Sequence, residues 1–372
     1  MMRAIVSKSD LVRICTRAAL SSDAKSAQGM LRSILLESSG SSLTATGTDL
    51  YQSTRDTATA SGVVAGSVAV SAKDMVARAQ AMPDGDVVVD FDRQGAKLSV
   101  KSAKSKLSFS LLAIDGGDFP SLPTMGESIT LSVKGSLLAR LLARVLPAVS
   151  LDTSRAALNA VCLDLSPGEI HAVATDGHRL TVSSLLVECD VTERAFIPLP
   201  AAKQIERICS STDSVVTVSF SSGLREVFVV AEGAQFSAKL VDGQFPNWRG
   251  VIPKKGAPIT VDKSELARSI RAVALSSPDK TAGVRIALSD NRIVLSGESA
   301  DRGQARDEIS CGYAGPDAKF AVDSKLMLDA IAAVDGDIIS VSLSGGELDP
   351  ICWEPEHGNE AFGVIMPMRL DA

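Results

Sequence analysis

Apolar and polar positions alternate along most of this chain, and a few runs with helical spacing interrupt the alternation. Alternation at every second position predicts half-buried strands, for example at residues 43–46 and 170–173. Helical spacing predicts helices at 11–20, 136–149 and 263–275. Each of these helices follows a strand and precedes further strands. The pattern predicts an α+β fold with mostly antiparallel sheets.

Three sequence features recur at about a third of the chain length, which indicates an internal repeat. The segment Gly-Asp-Phe-Pro around Phe119 returns as Gly-Gln-Phe-Pro around Phe245. The segment Gly-Thr-Asp at 47–49 returns as Ala-Thr-Asp at 174–176. The third feature is a strand that runs directly into a helix, with a lysine at the same place in each copy: Lys73, Lys203 and Lys325. We therefore expect three copies of one plan, each with two helices.

Polar stretches that contain proline and glycine separate the copies. They lie at residues 120–127 and 253–258, between segments with regular periodicity. They place a first domain at 1–126, a second at 127–254 and a third at 255–372. The length of 372 residues and the 45% hydrophobic content suffice for that many packed cores.

Composition excludes several other classes of protein. No segment approaches the roughly 20 apolar residues that span a bilayer, so we expect a cytoplasmic protein without a membrane anchor. The six cysteines are scattered without a Cys-x-x-Cys pair, which argues against a zinc site and a disulfide framework.

The net charge of -6 is acidic, but the predicted helices carry a recurring excess of basic residues. A solvated helix surface explains any one of them. Recurrence in all three copies favours a basic face that contacts a phosphate backbone without reading its sequence. The helix candidates for such DNA contacts are Arg13, Arg17, Lys73, Arg78, Arg140, Arg144, Lys203 and Arg207.

Sequence signals for catalysis are weak. The three histidines form no evident metal triad, and no nucleotide-binding or hydrolase motif occurs. Asp176 and His178, with Ser183 or Ser184 nearby, form the one tempting constellation, but it has no evident oxyanion donor. The alternative is a tight turn in which Asp176 bonds to the backbone and Gly177 adopts a positive φ.

Over essentially its whole length the chain resembles the beta subunit family of bacterial DNA polymerase III, the processivity clamps. The resemblance rests on four motifs in the family's order and spacing: Ala-Thr-Asp-Gly-His-Arg-Leu at 174–180, Lys-Leu-Val-Asp-Gly-Gln-Phe-Pro at 239–246, Gly-Val-Arg-Ile at 283–286, and Val-Ile-Met-Pro-Met-Arg-Leu at 364–370.

Membership would imply a non-catalytic sliding clamp without a cofactor. The family forms a head-to-tail homodimeric ring that encircles duplex DNA, with sheets outside and helices lining the central hole. The expected partners are DNA of any sequence, a second copy of the chain, the polymerase alpha subunit, an ATP-dependent clamp loader, and other polymerases and repair proteins.

The resemblance also implies a peptide-binding groove between the second and third domains. Apolar and methionine side chains would form its pocket, and Arg179 and Arg369 would orient a peptide's polar ends. The implied groove residues are Leu158, Thr175, Gly177, His178, Arg179, Leu180, Pro246, Val251, Val364, Ile365, Met366, Pro367, Met368, Arg369 and Leu370. Gly250, Thr281 and Leu326 depart from the family's common pattern, which leaves the motif preference open.

Two further sets of residues follow from the resemblance. Lys25 and Arg155 match loop positions that contact DNA in the family. The dimer interface would join an edge strand of the first domain to the third domain of the partner, with lysines facing acids. The implied interface residues are Lys104, Lys106, Leu107, Phe109, Ala274, Leu275, Asp307 and Glu308. An enzyme centred on Asp176 and His178 and a monomeric DNA-binding protein remain as alternatives.

Overall fold

The computed structural model describes residues 2–277, 282–358 and 360–369. Across these residues the chain forms six α-helices and 25 strands. The first third contains β1 (Met2–Ser7), α1 (Lys8–Ala19), β2 (Ser33–Ser39), β3 (Ser42–Thr48), β4 (Gln52–Thr59), β5 (Ser61–Val64), β6 (Gly66–Ser71), α2 (Ala72–Ala81), β7 (Asp86–Asp92), β8 (Lys97–Ser102) and β9 (Ser108–Asp115). The middle third contains β10 (Ser128–Lys134), α3 (Gly135–Val145), β11 (Ala160–Ser166), β12 (Glu169–Thr175), β13 (Arg179–Leu186), β14 (Glu193–Pro198), α4 (Leu199–Cys209), β15 (Val215–Ser221), β16 (Glu226–Ala231) and β17 (Ala234–Lys239). The last third contains β18 (Pro258–Asp262), α5 (Lys263–Ala274), β19 (Gly283–Ser289), β20 (Arg292–Ser299), β21 (Gly303–Ser310), β22 (Ala318–Asp323), α6 (Ser324–Ala333), β23 (Ile338–Leu343), β24 (Ile351–Pro355) and β25 (Ala361–Ile365).

Side-chain caps fix where several helices begin. At α1 the Ser7 hydroxyl accepts a hydrogen bond from the Asp10 backbone N–H, and at α5 Asp262 accepts from the Glu265 N–H. The helix α3 ends at Val145, four residues earlier than the sequence predicts. Pro147 follows in a 3₁₀ turn, because a proline cannot continue the hydrogen-bond ladder of the helix. Among the described residues, every helix is too short or too polar to cross a bilayer.

The chain divides into two compact units. The first unit holds the residues up to Gly135 together with Ser211–Leu240. Its strands form one antiparallel sheet in the order β10-β15-β16-β17-β4-β3-β2-β6-β9-β8-β7-β1-β5. Its main core packs α1 and α2 on this sheet and includes Leu11, Ile14 and Met75. The apolar positions of α1 recur at three- and four-residue spacing, as one buried helix face requires.

The second unit holds Ser136–Ser210 together with the residues from Val241 onward. It contains an eight-stranded sheet, β14-β11-β12-β13-β25-β24-β23-β18, and a four-stranded sheet, β21-β20-β19-β22. One core includes Leu266, Ile270 and Met327, and a smaller one gathers around Trp248. The α+β class predicted from the sequence is confirmed. The predicted domain boundaries at 126 and 254 stay a prediction, because the two compact units divide the chain elsewhere.

The internal repeat also appears in the residue pairing between strands. Glu37 of β2 pairs with Thr44 of β3, and Asp164 of β11 pairs with His171 of β12. The shift is 127 positions in both strands, from 37 to 164 and from 44 to 171. The same shift relates two further pairs, Arg55 with Gln235 and Val182 with Phe362. The strand pairings of one copy therefore recur in the next copy at a constant offset of 127 residues.

Candidate functional site

The pairing of β13 with β25 brings two sequence motifs together in the second unit. Arg179 pairs with Ile365 and Leu180 with Val364 in an antiparallel register. The Met366 N–H donates a hydrogen bond of 2.8 Å to the His178 carbonyl and continues the pairing beyond the strand. Segments that lie about 180 residues apart in the sequence thus form one continuous wall.

The turn before β13 is ordered by its own side chains. Asp176 accepts hydrogen bonds from the backbone N–H groups of His178 and Arg179, at 3.0 and 3.1 Å. Gly177 has a φ of +94°, which favours glycine. The Asp176 carboxylate therefore bonds to the backbone and to the Arg179 side chain, as the turn interpretation of this segment expects.

Buried apolar side chains form the base of this wall. Leu158, Leu180 and Val364 belong to the cluster around Trp248. Val251 and Met366 flank them with side chains that are 49% and 40% exposed. His178 and Pro246 are also exposed. The site combines an apolar base with exposed apolar edges, which suits the side chains of a docked peptide.

The loop that carries Pro246 and Val251 is anchored from beneath. Phe245 stacks on Phe196 with ring centres 6.2 Å apart. The Trp248 Nε1–H donates to Asp164 at 3.0 Å, and the Arg249 guanidinium lies 4.1 Å from the centre of the Trp248 ring. This anchor fixes the 3₁₀ turn Trp248–Val251, whose last residue belongs to the predicted groove.

The Asp164 carboxylate is the polar centre of the anchor. Arg249 and Arg194 lie 2.7 and 3.4 Å from one of its oxygens. Burial raises the pKa of the Asp164 carboxyl, but the hydrogen bonds from Trp248 and Arg249 outweigh burial and leave that pKa below its ordinary value. The carboxylate is therefore ionised at neutral pH.

The structure assigns different roles to the two arginines expected to orient a peptide. The Arg179 side chain is only 9% exposed. It donates to Asp176 at 3.0 Å, to Asp329 at 2.6 Å and to the Pro147 carbonyl. Arg179 therefore supports the wall from inside, whereas Arg369 is exposed.

The last described segment lies against the four-stranded sheet. The Met368 N–H donates to the Ala321 carbonyl at 2.7 Å. Met368 and Arg369 line a cavity of about 680 Å³ together with Phe320 and Leu348. Of the departures from the family pattern, Leu326 packs beside the core of α5 and α6, and Gly250 is exposed. Leu370 and Thr281 lie outside the described residues.

The predicted DNA-contacting residues of the first unit fall into two groups. Arg13 and Arg17 reach the fully buried carboxylate of Asp56, at 2.6 and 3.2 Å. Arg78 pairs with Asp74 on its own helix. The side chains of the other two are exposed: Lys25 and Lys73.

The second unit shows the same division. Arg144 is 9% exposed and pairs with Asp335, while Arg140, at 56% exposure, contacts the same carboxylate. These pairs join α3 to the turn that follows α6. The other three predicted residues are exposed: Arg155, Lys203 and Arg207.

Three of the predicted interface residues lie on strands, Phe109 on β9 and Asp307 and Glu308 on β21, and the other five lie in the segment before β9 or at the end of α5. Strand β9 pairs with β8 through residues 108–112 and with β6 through residues 113–115. Residues 108–112 therefore pair on one side only, and their other side has no partner strand within the described part of the first unit. Phe109 lies there, beside the exposed Leu107, Lys104 and Lys106.

In the second unit, Asp307 and Glu308 lie on β21, the outermost strand of the four-stranded sheet. Asp307 contacts Arg268 at 3.2 Å, and Glu308 contacts Arg292 at 3.5 Å. Leu275, just after α5, is 74% exposed, while Ala274 is half-buried.

Sequence reasoning missed the residues that support the site from beneath. Asp164, Asp329 and Asp335 carry no local motif, because their partners come from distant segments. Trp248 offered a signal, since it is one of only two tryptophans and stands two residues after the proline of the Phe-Pro motif.

Comparison with known families assigns all three parts of the chain. Residues 2–123, 132–247 and 249–369 match the N-terminal, central and C-terminal domain models of the DNA polymerase III beta subunit. The beta sliding clamp of Pseudomonas aeruginosa is 27% identical over 345 residues, which is 92% of each chain. That of Caulobacter vibrioides is 28% identical over 353 residues, again 92% of each.

Solved structures show the same fold. A sliding clamp from Pseudomonas aeruginosa bound to griselimycin superimposes with a TM-score of 0.93 at 23% identity, covering 99% of this chain and 100% of that one. The DNA polymerase III beta subunit of Thermotoga maritima gives 0.92 at 23% identity, covering both chains completely.

Proposed function

This chain belongs to the DNA polymerase III beta subunit family, and we propose that it acts as a closed ring that holds the polymerase on duplex DNA through the groove built on β13 and β25. It is a DNA sliding clamp, a non-catalytic processivity factor of the family that consecutive domain models match across 2–123, 132–247 and 249–369. That match along the chain carries the conclusion.

The mechanism that we propose is topological. A ring is retained on DNA because it does not open, so individual phosphate contacts can stay weak and allow sliding. The exposed basic residues are the better candidates for these contacts, because the less exposed arginines, Arg13, Arg17, Arg78 and Arg144, are paired with carboxylates and have fewer free donors. They are Lys25, Lys73, Arg140, Arg155, Lys203 and Arg207. A cytoplasmic location belongs to the same proposal.

The groove is the proposed attachment point for the polymerase alpha subunit, the clamp loader and repair proteins. Support comes from the exposed apolar edges at Val251 and Met366 above a buried apolar base. Met366 is a flexible thioether side chain, which adapts to different apolar partners. Arg369 and His178 are the exposed polar groups that can orient a peptide.

The decisive experiment measures, in one set of variants, how long the protein stays on DNA and how tightly it binds the polymerase. On nicked circular DNA loaded by a clamp loader, the wild-type chain should persist, and linearisation should release it from the ends. The variant Met366→Ala should keep this retention while polymerase binding weakens by about tenfold, equivalent to about 1.4 kcal/mol. Val215→Ala, at a 63% exposed position in the first unit that belongs to neither the groove nor the interface edge of β9, is the matched control.

Two other outcomes would reject the proposal. Equal retention on linear and circular DNA would indicate an ordinary monomeric DNA-binding protein. A turnover that His178→Ala abolishes would indicate an enzyme centred on Asp176 and His178.

A further inference from the structure

A cavity of about 530 Å³ lies in the first unit, on the sheet face opposite the helices α1 and α2. Leu35 and Glu37 line it from β2, and their neighbours Ile34 and Leu36 point into the helix-packed core. The loop at 119–125 borders the cavity, and Phe236 of β17 lies at its side. The volume falls within the range of about 300–1,000 Å³ that small-ligand pockets occupy.

In the second repeat an indole fills the corresponding place. The Trp248 ring lies 5.5 Å from the His171 ring and 6.5 Å from the Phe362 ring, and its N–H donates to Asp164. Arg249 covers the outer side of the ring. The second repeat therefore shows which side chain this sheet face accommodates.

The first repeat keeps the acceptor and lacks the indole. By strand register, Glu37 occupies the position of Asp164. Leu122 stands three residues after the Phe-Pro phenylalanine, as Trp248 does in the second repeat. A leucine is smaller than a tryptophan, and both Glu37 and Leu122 line the cavity.

Three polar groups in the cavity have unused bonding capacity. Thr46 is 2% exposed, and its Oγ1 has no hydrogen-bond partner among the described residues. A buried hydroxyl without a partner costs free energy unless a ligand satisfies it. Glu37 and Arg55 form a long ion pair, 3.9 Å apart, which is too far for a good hydrogen bond, so the Glu37 carboxylate and the Arg55 guanidinium can each still bond to a ligand.

From these observations we propose that the cavity binds the tryptophan side chain of a short peptide segment in a partner protein. Glu37 accepts the indole N–H, Arg55 stacks on the ring as Arg249 does on Trp248, and Leu35 and Phe236 contact its apolar faces. Thr46 bonds to a polar group of the same segment. This site is separate from the groove on β13 and β25 and does not rest on the function proposed for that groove.

Binding of N-acetyl-tryptophanamide to the full-length protein, measured by calorimetry and saturation-transfer NMR, tests the proposal. We expect saturable binding, about tenfold tighter than that of N-acetyl-phenylalaninamide, which lacks the N–H donor. Glu37→Leu should abolish this preference. Met366→Ala, which alters the groove, should leave the binding unchanged.

The variant Leu122→Trp supplies the missing indole from within the chain. It should block ligand binding and raise the apparent Tm by about 2–4 °C, because the cavity fills. Val215→Trp places the same side chain at a 63% exposed site outside the cavity and should do neither.

Three results would overturn the proposal: no binding of the tryptophan amide by the wild-type chain, equal binding of the two amides, or unchanged binding in Leu122→Trp. Clamp loading and groove binding are assayed separately in the same variants, so failure at this site is distinguishable from failure of the clamp function.

Discussion

At the scale of single residues, buried carboxylates decide which arginines are available to a partner. Asp56 is fully buried between Arg13 and Arg17, and Asp164 holds Arg249 and Arg194. A buried carboxylate without its paired cations would cost several kcal/mol of folding free energy, so the main role of these arginines is structural. The sequence could not distinguish them from exposed basic residues, because Asp56 lies 43 positions from Arg13 and its burial depends on the sheet.

Removal of the Asp164 carboxylate tests the anchor under the groove loop. Asp164→Ala should lower the free energy of unfolding by about 2 kcal/mol, since it leaves the Trp248 N–H without an acceptor and unpairs two arginines. The value lies below that of a fully buried pair because Arg249 and Arg194 are 48% and 42% exposed. Urea unfolding monitored by Trp fluorescence measures the change. An unchanged transition would show that the anchor contributes nothing.

Because Asp164 titrates, the stability difference between the wild type and Asp164→Ala should depend on pH. The pKa of Asp164 is lowered in the folded chain, so its contribution is complete above the unfolded value of about 3.9 and disappears as pH falls through the folded pKa. The stability difference between wild type and variant should therefore be constant from pH 6 to 8 and shrink below about pH 4.

At the scale of elements, the sequence predicted the helices well and the strand partners poorly. The periodicity placed helices at 11–20 and 263–275, and the structure has Lys8–Ala19 and Lys263–Ala274. Helices depend on local spacing and caps, which the sequence displays. The pairing of β13 with β25 joins segments about 180 residues apart, and no local pattern encodes it. For the groove, the family's shared motifs supplied what periodicity could not.

A substitution at Gly363 tests whether the pairing of β13 with β25 positions the groove. A Cβ at this position would lie 2.3 Å from the Leu180 carbonyl oxygen and 2.6 Å from the Trp353 ring. Gly363→Ala should therefore force the strands apart, lower the free energy of unfolding by about 1–3 kcal/mol, and weaken peptide binding at the groove.

The matched control for this substitution is Gly126→Ala. A Cβ on Gly126 would meet no atom within 4 Å, and its φ is not left-handed, so this variant should behave like the wild type. If Gly363→Ala also bound peptide normally, the strand pairing would not be what positions the groove.

At the scale of the whole molecule, the acidic net charge of -6 and the binding of DNA are compatible because charge position matters more than its sum. In a closed ring, retention comes from topology, so the inner surface needs only modest attraction to phosphates. What the mechanism does need is an interface that closes. A head-to-tail contact joins two different surfaces, and both must be complementary. We propose that Lys104 and Lys106, in the segment just before the open edge of β9, form one such surface, and that Asp307 and Glu308 on the outermost strand β21 form the other.

Two charge-reversed chains test this closure. The first carries Lys104→Glu and Lys106→Glu, and the second carries Asp307→Lys and Glu308→Lys. Alone, each would juxtapose like charges at both interfaces of a homodimer, at a cost of several kcal/mol, and light scattering at micromolar concentration should give the mass of one chain. In an equimolar mixture, one interface is native and the other pairs reversed charges of opposite sign, so the two-chain mass should return.

Thermal melting of each variant confirms that it is folded. If the separate variants kept the two-chain mass, or if the mixture stayed at the mass of one chain, these edges would not be the surfaces that close the ring.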